Sequence, residues 1–335
     1  MKIKLKDIAE AAGVSSTTCS LILNNKPINV SEETKRKVMQ TAQEMGYTFK
    51  QKIRNFGLIV PDLGNLYYTE VIKNVSHTAQ RCGYNLVILD SNFNLEQEIR
   101  NLQQLYQSKV NGILIALISD RTDIFPLISL VRQITNNKIP IVLLDYSINA
   151  LGCHSVSMDD YYGGYMATKH LISLGHRKIG CICGNTENPL LPPGRATGFK
   201  AALSEAMIPY NEELVIDGQF TVECGYHSAP ILLEKGVTAI FAHNDMIALG
   251  VYHYLREHHI RIPQDISLVG FDDIPVVSSM ELPLTTVAQP IQAIAERSIE
   301  ILQDSIQNPS ADRIAISLQP ELVIRSTTGP APGMH

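Results

Sequence analysis

Small hydroxyl side chains are concentrated near the amino terminus, in a segment predicted to form a helix over residues 16–23. The inward face of this helix is predicted to hold Cys19, Ile22 and Leu23. The outward face then holds Ser16, Thr17, Ser20 and Leu21. Hydroxyl groups both donate to and accept from base edges and phosphates, so this face favours contact with DNA. On spacing alone, a small helical bundle without DNA binding remains the alternative.

Two further helices are predicted on either side of this segment. Gly13 allows a tight turn after the first helix, and Ser15 supplies an oxygen that caps the second. Asn24 breaks the second helix, and Ser31 caps the third. A helix, a short turn and another helix form a helix-turn-helix, whose second helix enters the major groove.

The charge of the chain is divided unevenly along its length. Residues 1–55 carry ten Lys or Arg against five Asp or Glu, whereas the remainder carries 18 against 28, within a formal net charge of -5. A basic head on an acidic body indicates that the head alone meets a polyanion. A basic face that is merely solvated is the alternative on charge alone.

Strand and helix patterns alternate from Phe56 onward. Apolar strands are predicted at 57–60, 85–89, 112–116, 140–144, 178–183, 239–243 and 267–271. Strands separated by helices indicate parallel sheets with helices on both faces. Two such series predict two doubly wound α/β lobes after the all-α head, with a ligand cleft beyond the carboxyl ends of the strands.

The domain boundaries follow from this alternation. We predict a helix-turn-helix head at 1–48, a short linker at 49–55, a first lobe from 56–158 plus 290–318, and a second lobe from 159–289 plus 319–328. Residues 329–335 are rich in Pro and Gly and are predicted to form a disordered tail.

Composition and motifs limit the possible functions. With no run of eighteen apolar residues and no secretory signal, a cytoplasmic protein without a membrane partner is expected. The six cysteines are interpreted as reduced thiols, and Cys181 and Cys183 as two small core side chains on one strand face. Nucleotide-binding glycine motifs, a Ser/His/Asp order and metal-ligand spacing at His258 and His259 are missing. Neither enzyme activity nor a cofactor is therefore expected.

The head sequence LKDIAEAAGVSSTTCSLILNN, followed by VSEETKRKV and EMGY, closely resembles the LacI/GalR family of bacterial repressors. The body agrees in order through GLIVPD, GHRKIG, RATGF, AHND, ISLVGFDD, PLTTVAQP and ELVIRSTT, so the resemblance covers nearly the whole chain. It implies a body folded like type I periplasmic sugar-binding proteins. It also implies a homodimer that binds double-stranded operator DNA and responds to a small sugar-like effector.

The resemblance places the family's effector contacts at eight positions: Tyr67, Tyr68, Asp145, Arg195, Phe220, Asn244, Asp272 and Gln289. Carboxylate and amide oxygens accept hydrogen bonds from hydroxyl groups, and a guanidinium donates hydrogen bonds to ring oxygens. A phenyl ring offers an apolar face to a sugar ring. This combination suits a neutral sugar or polyol. The alternatives are a strand-end cap for Asp145 and a core aromatic for Phe220, while His176 is interpreted as a structural turn residue.

The DNA-binding residues predicted for the head are Lys6, Ser15, Ser16, Thr17, Ser20, Leu21, Asn24, Lys35 and Lys50. The three lysines are expected near phosphates. Two positions depart from the family pattern. Leu21 stands where a basic or polar reader is common, and Lys4 stands where a Thr usually caps the first helix.

The linker is the third departure from the family pattern. Only residues 48–55 lie between the head and the first strand, where the family has a hinge helix that wedges into the minor groove. We therefore expect a shortened or absent hinge helix and little DNA bending. The principal prediction is a repressor of a carbohydrate-uptake or catabolism operon. The alternative is a sugar or nucleoside sensor with weak or lost DNA binding.

Overall fold

The computed structural model describes residues 3–24, 27–47, 54–118, 124–184, 193–310 and 312–333. The chain divides into two compact units, Met1–Ile53 and Arg54–His335. In the described residues the first unit has helices and no strands, and the second is α/β, which confirms the predicted fold class. Most of the linker, including Lys50, lies outside the described residues, so the expectation of a missing hinge helix stays a prediction.

The first unit consists of three helices around a small apolar core. They are α1 (Leu5–Ala12), α2 (Ser16–Leu23) and α3 (Glu32–Glu44). Gly13 makes the turn after α1 with φ +71°, and the hydroxyls of Ser15 and Ser31 accept from backbone amides in the first turns of α2 and α3. As expected, α1 has no side-chain cap at Lys4. The carboxylate of Asp7 instead accepts from the Lys4 amide at 2.8 Å.

The second unit contains the strands. They are β1 (Asn55–Val60), β2 (Asn85–Asp90), β3 (Gly112–Ala116), β4 (Ile141–Asp145), β5 (His154–Met158), β6 (Ile179–Gly184), β7 (Val215–Gly218), β8 (Ala239–Ala242), β9 (Ser267–Asp272), β10 (Thr285–Ala288), β11 (Ala315–Leu318) and β12 (Glu321–Val323). Its helices are α4 (Leu66–Arg81), α5 (Leu95–Gln107), α6 (Phe125–Asn136), α7 (Asp160–Ser173), α8 (Arg195–Glu205), α9 (Val222–Glu234), α10 (Asp245–Glu257), α11 (Pro275–Ser278) and α12 (Ile291–Gln307). Short 3₁₀ turns lie at Asn149–Leu151 and Glu212–Leu214.

The strands form two sheets. The first is entirely parallel in the order β11-β5-β4-β3-β1-β2, and the second runs β12-β10-β9-β8-β6-β7 with only β12 antiparallel. Helices α4 and α12 cover one face of the first sheet and α5 and α6 the other. One face of the second sheet is covered by α9 and α10, and the other face is covered by α7 and α8. Central strands such as β3 are buried along their whole length because both sheet faces are covered.

The chain changes sheet between β5 and β6, between β10 and β11, and between β11 and β12. In each sheet the direction of winding reverses beside the first strand of the series, between β1 and β3 and between β6 and β8. A crevice forms at such a reversal, outside the carboxyl ends of the strands. No helix in the described ranges is long and apolar enough to cross a membrane.

The prediction of a disordered tail from residue 329 is wrong for its first residues. His176, which is fully buried, contacts Ser267 and the carbonyl of Gly329 through Nε2, at 3.0 and 3.1 Å. Two residues later, the Ala331 amide donates to the Leu174 carbonyl at 2.8 Å, and Ala331 is buried. Composition suggested disorder, but it carries no information about the hydrogen-bond partners that this lobe offers to the tail.

Candidate functional site

The outward face of α2 is exposed as predicted. Ser16 and Thr17 are fully at the surface, Ser20 and Leu21 are half-buried, and Cys19 lies beneath them in the core of the head. Among the described residues, nothing hydrogen-bonds to the side chains of Ser16 and Thr17. Their hydroxyls are therefore available to an external partner.

Ser15 and Asn24, both predicted to contact DNA, already form hydrogen bonds within the head. The Ser15 hydroxyl accepts from the Thr18 amide at 3.0 Å, and the Asn24 amide group donates to the Ser20 carbonyl at 2.7 Å. Both side chains therefore close the ends of α2. Lys6 is exposed, whereas Lys35 pairs with Glu32 at 2.6 Å.

The second unit contains a cleft at the carboxyl ends of both sheets. All eight residues predicted to contact an effector line it. Tyr67 and Tyr68 come from the start of α4 and Asp145 from the end of β4, on the side of the first sheet. Of the other five, Asp272 ends β9, Arg195 begins α8, and the remaining three follow strands of the second sheet: Phe220, Asn244 and Gln289. The fold therefore brings the predicted side chains together in one cleft.

On the side of the first sheet, Asp145 is held by neutral donors. The Tyr67 hydroxyl donates to its Oδ1 at 2.7 Å and the Tyr68 hydroxyl to its Oδ2 at 3.2 Å. Burial raises the pKa of Asp145 to about 6, although the two tyrosine hydrogen bonds act in the opposite direction. Burial also raises the pKa of both tyrosines, so they stay protonated donors.

On the side of the second sheet, Arg195 is the central side chain. Its Nε donates to Asp160 at 2.7 Å, its Nη1 donates to the His243 carbonyl, and Nη1 lies 3.8 Å from Asp272. The guanidinium carbon also lies 3.7 Å from the centroid of the Phe271 ring, a cation–π contact. Arg195 is therefore fixed on several sides and points into the cleft.

Asp272 completes this side of the cleft. Its Oδ1 accepts from Gln289 Nε2 at 2.7 Å, and its side chain is almost fully buried. Burial raises the pKa of Asp272 to about 7, with the nearby Arg195 acting to lower it. Asp272 has φ 113° and Asp145 has φ 65°, so both carboxylates stand on backbone that non-glycine residues rarely adopt. Such strain is concentrated at binding sites, where it aims a side chain that a regular strand could not.

Asn244 and Phe220 have both structural and lining roles. Asn244 Oδ1 caps α10 by accepting from the Ile247 amide at 2.9 Å, and its amide group lies 3.5 Å from the Phe220 carbonyl. The Phe220 ring is half-buried and borders the cleft. It is therefore not a closed core aromatic.

Two glycines let the backbone of Arg195 approach α7. A Cβ at Gly164 would lie 2.2 Å from the Arg195 carbonyl oxygen, and one at Gly198 would lie 2.0 Å from the Tyr161 carbonyl oxygen. Real Cβ atoms do not come so close to backbone. The close crossing of α7 and α8 places the start of α8, and with it Arg195, at the cleft.

Several lining residues were not predicted. Asp160 holds the guanidinium of Arg195, while Tyr146, Met158 and Phe93 border the same space. The available signal was the pair Asp159-Asp160 directly after a strand, since only one of the two is needed as the cap of α7, and Asp159 is that cap.

Comparison with known proteins identifies relatives along the whole chain. The sequence profile of the bacterial regulatory proteins of the lacI family matches residues 4–49, and that of the periplasmic binding protein-like domain matches residues 168–328. The HTH-type transcriptional regulator DegA of Bacillus subtilis is 34% identical over 98% of this chain and 99% of its own. The ribose operon repressor of Haemophilus influenzae is 33% identical over 96% of this chain and 98% of its own.

Solved structures agree with these relatives. The lac repressor dimer bound to operator and the anti-inducer ONPF matches with a TM-score of 0.81 and 25% identity, over 98% of this chain and all of that one. A LacI family transcriptional regulator from Enterococcus faecium with bound ribose matches with a TM-score of 0.73 and 28% identity, over 83% of this chain and 99% of that one.

Proposed function

The chain belongs to the lacI family of bacterial regulatory proteins and is a transcription regulator, and we propose that it represses an operon for carbohydrate uptake or catabolism under the control of a neutral sugar bound in the cleft. The observation that carries the proposal is the composition of the cleft. It combines three carboxylates, one guanidinium and a phenyl ring: Asp145, Asp160, Asp272, Arg195 and Phe220.

The charge balance of the cleft disfavours an anionic ligand, and its hydrogen-bonding groups suit a ligand with many hydroxyl groups. Each carboxylate can accept a further hydrogen bond from a ligand hydroxyl, and Arg195 can donate a hydrogen bond to a ring or hydroxyl oxygen. A phosphate ester would place its charge beside Asp145 and Asp272 with a single guanidinium as compensation. We therefore expect the cleft to prefer free sugars to their phosphate esters.

The ligands named for the relatives support the same class. The Enterococcus faecium regulator holds ribose, and a further relative of known structure, CelR, holds cellobiose at a TM-score of 0.71 and 27% identity. We take the two lobes to be 56–158 with 290–318 and 159–289 with 319–328, since the strands of the two sheets divide at those points. The cleft then lies between the lobes, where closure would sense a ligand.

DNA binding is assigned to the exposed face of α2, with Ser16, Thr17, Ser20 and Leu21 towards base edges. Lys6 and Lys35 are assigned to phosphates. A homodimer is proposed because the lac repressor structure is a dimer on operator DNA. Two copies of the head would then read two half-sites related by the same symmetry.

The test is a ligand screen followed by a DNA-binding assay on the full chain. Ribose, cellobiose and ribose 5-phosphate are compared by thermal shift, because a ligand present at a hundred times its Kd stabilises the folded chain by about 2.7 kcal/mol. Operator sites are selected from random DNA, and release by the stabilising sugar is followed by fluorescence anisotropy. Stabilisation by neutral sugars with release of the DNA supports the proposal. Stabilisation only by phosphate esters contradicts the effector assignment, and a chain that binds sugar but selects no DNA sequence contradicts repression.

A further inference from the structure

Two thiols and one imidazole lie close together on one buried face of the second sheet, beside the effector cleft. Cys181 and Cys183 lie on one face of β6, and His243 directly follows β8. All three side chains are at most 2% exposed. Cys181 Sγ lies 3.5 Å from Cys183 Sγ and 3.3 Å from His243 Nε2, and Cys183 Sγ lies 3.5 Å from the same nitrogen.

These three distances match the edges of a tetrahedral zinc site. Zinc binds thiolate sulfur at about 2.3 Å and imidazole nitrogen at about 2.0–2.1 Å. In a tetrahedron these bond lengths put two sulfurs about 3.8 Å apart and a sulfur and a nitrogen about 3.6 Å apart. The observed separations differ from those values by only a few tenths of an ångström. Within the described ranges this is the one group of three His, Cys, Asp or Glu side chains whose ligand atoms converge in this way.

The alternative is that the thiols are only small apolar core side chains. Cys153 is an example of such a core residue. Its sulfur lies 3.7 Å from the Leu151 carbonyl oxygen and, among the described residues, hydrogen-bonds to no imidazole. In the group beside the cleft, one ring nitrogen faces both sulfurs. We propose that Cys181, Cys183 and His243 form a binding site for one Zn²⁺ ion or a similar thiophilic divalent cation.

Solvent comes nearest to the site at His243, which lines a cavity beside the effector cleft together with Gly184 and Arg195. A water molecule from this cavity would complete the tetrahedron around the three protein ligands. The thiols bind as thiolates, so their protons pass to solvent as the ion enters. No oxidant or reductant is involved.

The proposed ion would also act on the cleft without touching its ligand. The carbonyl of His243 accepts from Arg195, and the next residue, Asn244, lines the cleft and caps α10. An ion on the imidazole would hold this segment in one position. The metal site stands on its own geometry and does not depend on the identity of the effector.

The experiment uses Co²⁺ as a visible substitute for Zn²⁺ in the full chain. The reduced, chelator-treated protein is titrated with Co²⁺ and followed by absorption spectroscopy. A site with two thiolates and one imidazole gives intense tetrahedral d–d bands and a sulfur-to-cobalt charge-transfer band at one equivalent, and Zn²⁺ abolishes both. Surface histidines cannot give the charge-transfer band because they have no sulfur.

Cys183→Ala is paired with Cys153→Ala, because both remove a buried thiol but only the first removes a proposed ligand. We expect the charge-transfer band to be lost in Cys183→Ala and kept in Cys153→Ala. Should Cys183→Ala fail to fold, X-ray absorption of the zinc-loaded wild-type chain gives the answer without a variant, as a shell of two sulfurs and one imidazole nitrogen. Cobalt spectra without a sulfur band, a band that survives Cys183→Ala, or a zinc shell of nitrogen and oxygen only would each overturn the site.

Discussion

The reading face of α2 and the effector cleft are both recognition surfaces, but they are built in opposite ways. Ser16 and Thr17 stand at the surface with no partner among the described residues, on a helix whose stability comes from its caps and from Cys19 below. In the cleft, Asp272 is buried and the Arg195 side chain is only 15% exposed, and both are already bonded to other side chains or to backbone. The first surface can be changed without disturbing the fold, whereas the second cannot.

The difference follows from the dielectric surroundings of the two sites. Exposed hydroxyls remain hydrated until DNA replaces the water, so their removal costs the fold little. Buried charges must be paired in the free protein, so each residue of the cleft both stabilises the fold and prepares the site. This distinction can be measured, and the following substitutions are ordered from the largest expected effect on the free energy of unfolding to the smallest.

Arg195→Ala should lower the free energy of unfolding by about 3–5 kcal/mol, since it leaves Asp160 and Asp272 buried without their cation. Sugar affinity should weaken by about 2–4 kcal/mol, because the ligand loses a charged hydrogen bond. Chemical denaturation and calorimetry measure the two effects. Arg256→Ala is the matched control, because its pair with Glu281 is exposed on both sides and should cost under about 1 kcal/mol. Equal losses in the two variants would contradict the comparison.

The contribution of Asp272 to the stability of the chain should fall as pH rises from about 4 to about 7, whereas His154, His170 and His176, whose pKa values burial lowers, act in the opposite direction. The pKa of Asp272 is raised to about 7 in the folded chain, so in this window the folded state keeps a proton that the unfolded state has released. A pKa that differs by one between the folded and unfolded states changes the free energy of unfolding by roughly 1.4 kcal/mol. Asp272→Asn should flatten the dependence of the melting temperature on pH more than Asp145→Asn, because burial raises the pKa of Asp145 only to about 6. An Asp272→Asn variant whose pH profile matches that of the wild-type chain would show that Asp272 is ionised throughout.

Tyr67→Phe should destabilise the chain more than Tyr68→Phe, by about 1–3 kcal/mol for the former. The reason is geometric, since the Tyr67 hydroxyl reaches Asp145 at 2.7 Å and that of Tyr68 at 3.2 Å. Double-mutant cycles with Asp145→Ala, which removes both acceptor oxygens, isolate each hydrogen bond. The interpretation fails if either phenylalanine variant keeps its full effect in the Asp145→Ala background.

Thr17→Ala should change the free energy of unfolding by less than about 0.5 kcal/mol, because the side chain is exposed and unbonded. Its effect should appear in base preference, as a loss of about 1–3 kcal/mol of discrimination at one operator position. Repeating the selection from random DNA with this variant tests the assignment. An unchanged consensus would remove Thr17 from the reading face.

Lys35→Ala should have the smallest effect on folding, since its ion pair with Glu32 is largely exposed. It should weaken binding to all DNA sequences alike and reduce the slope of log affinity against log salt by about 1. Glu32→Gln is the control, because it frees the lysine and should strengthen DNA binding slightly. A change confined to one sequence would assign Lys35 to a base instead of a phosphate.

The sequence predicted those parts of the molecule whose signals are local. Helix α2 begins after the cap at Ser15 and ends before Asn24, and β3 coincides with an uninterrupted apolar run, so both were predicted with their observed bounds. Strands β11 and β12 were not predicted, because they are short, partly exposed edge strands whose hydrogen bonds come from distant segments.

The same reasoning explains the errors within the sites. Asp160 was missed because its role depends on Arg195, 35 residues further along the chain. Ser15 was predicted both to cap α2 and to contact DNA; the cap is confirmed, whereas the DNA contact stays a prediction. The effector residues were located through the family resemblance, and their charge balance became apparent only when the carboxylates were seen together.

The crossing of α7 and α8 at Gly164 and Gly198 has a consequence for anyone who would turn this protein into a biosensor for a new sugar. Combinatorial libraries usually randomise the side chains that line the ligand pocket. Neither glycine lines the cleft, yet a side chain at Gly164 would collide with the backbone of Arg195, and one at Gly198 would collide with the backbone of Tyr161 in α7. A library in which these two glycines are also mutated would lose responsive variants, although the residues that line the pocket would be unchanged.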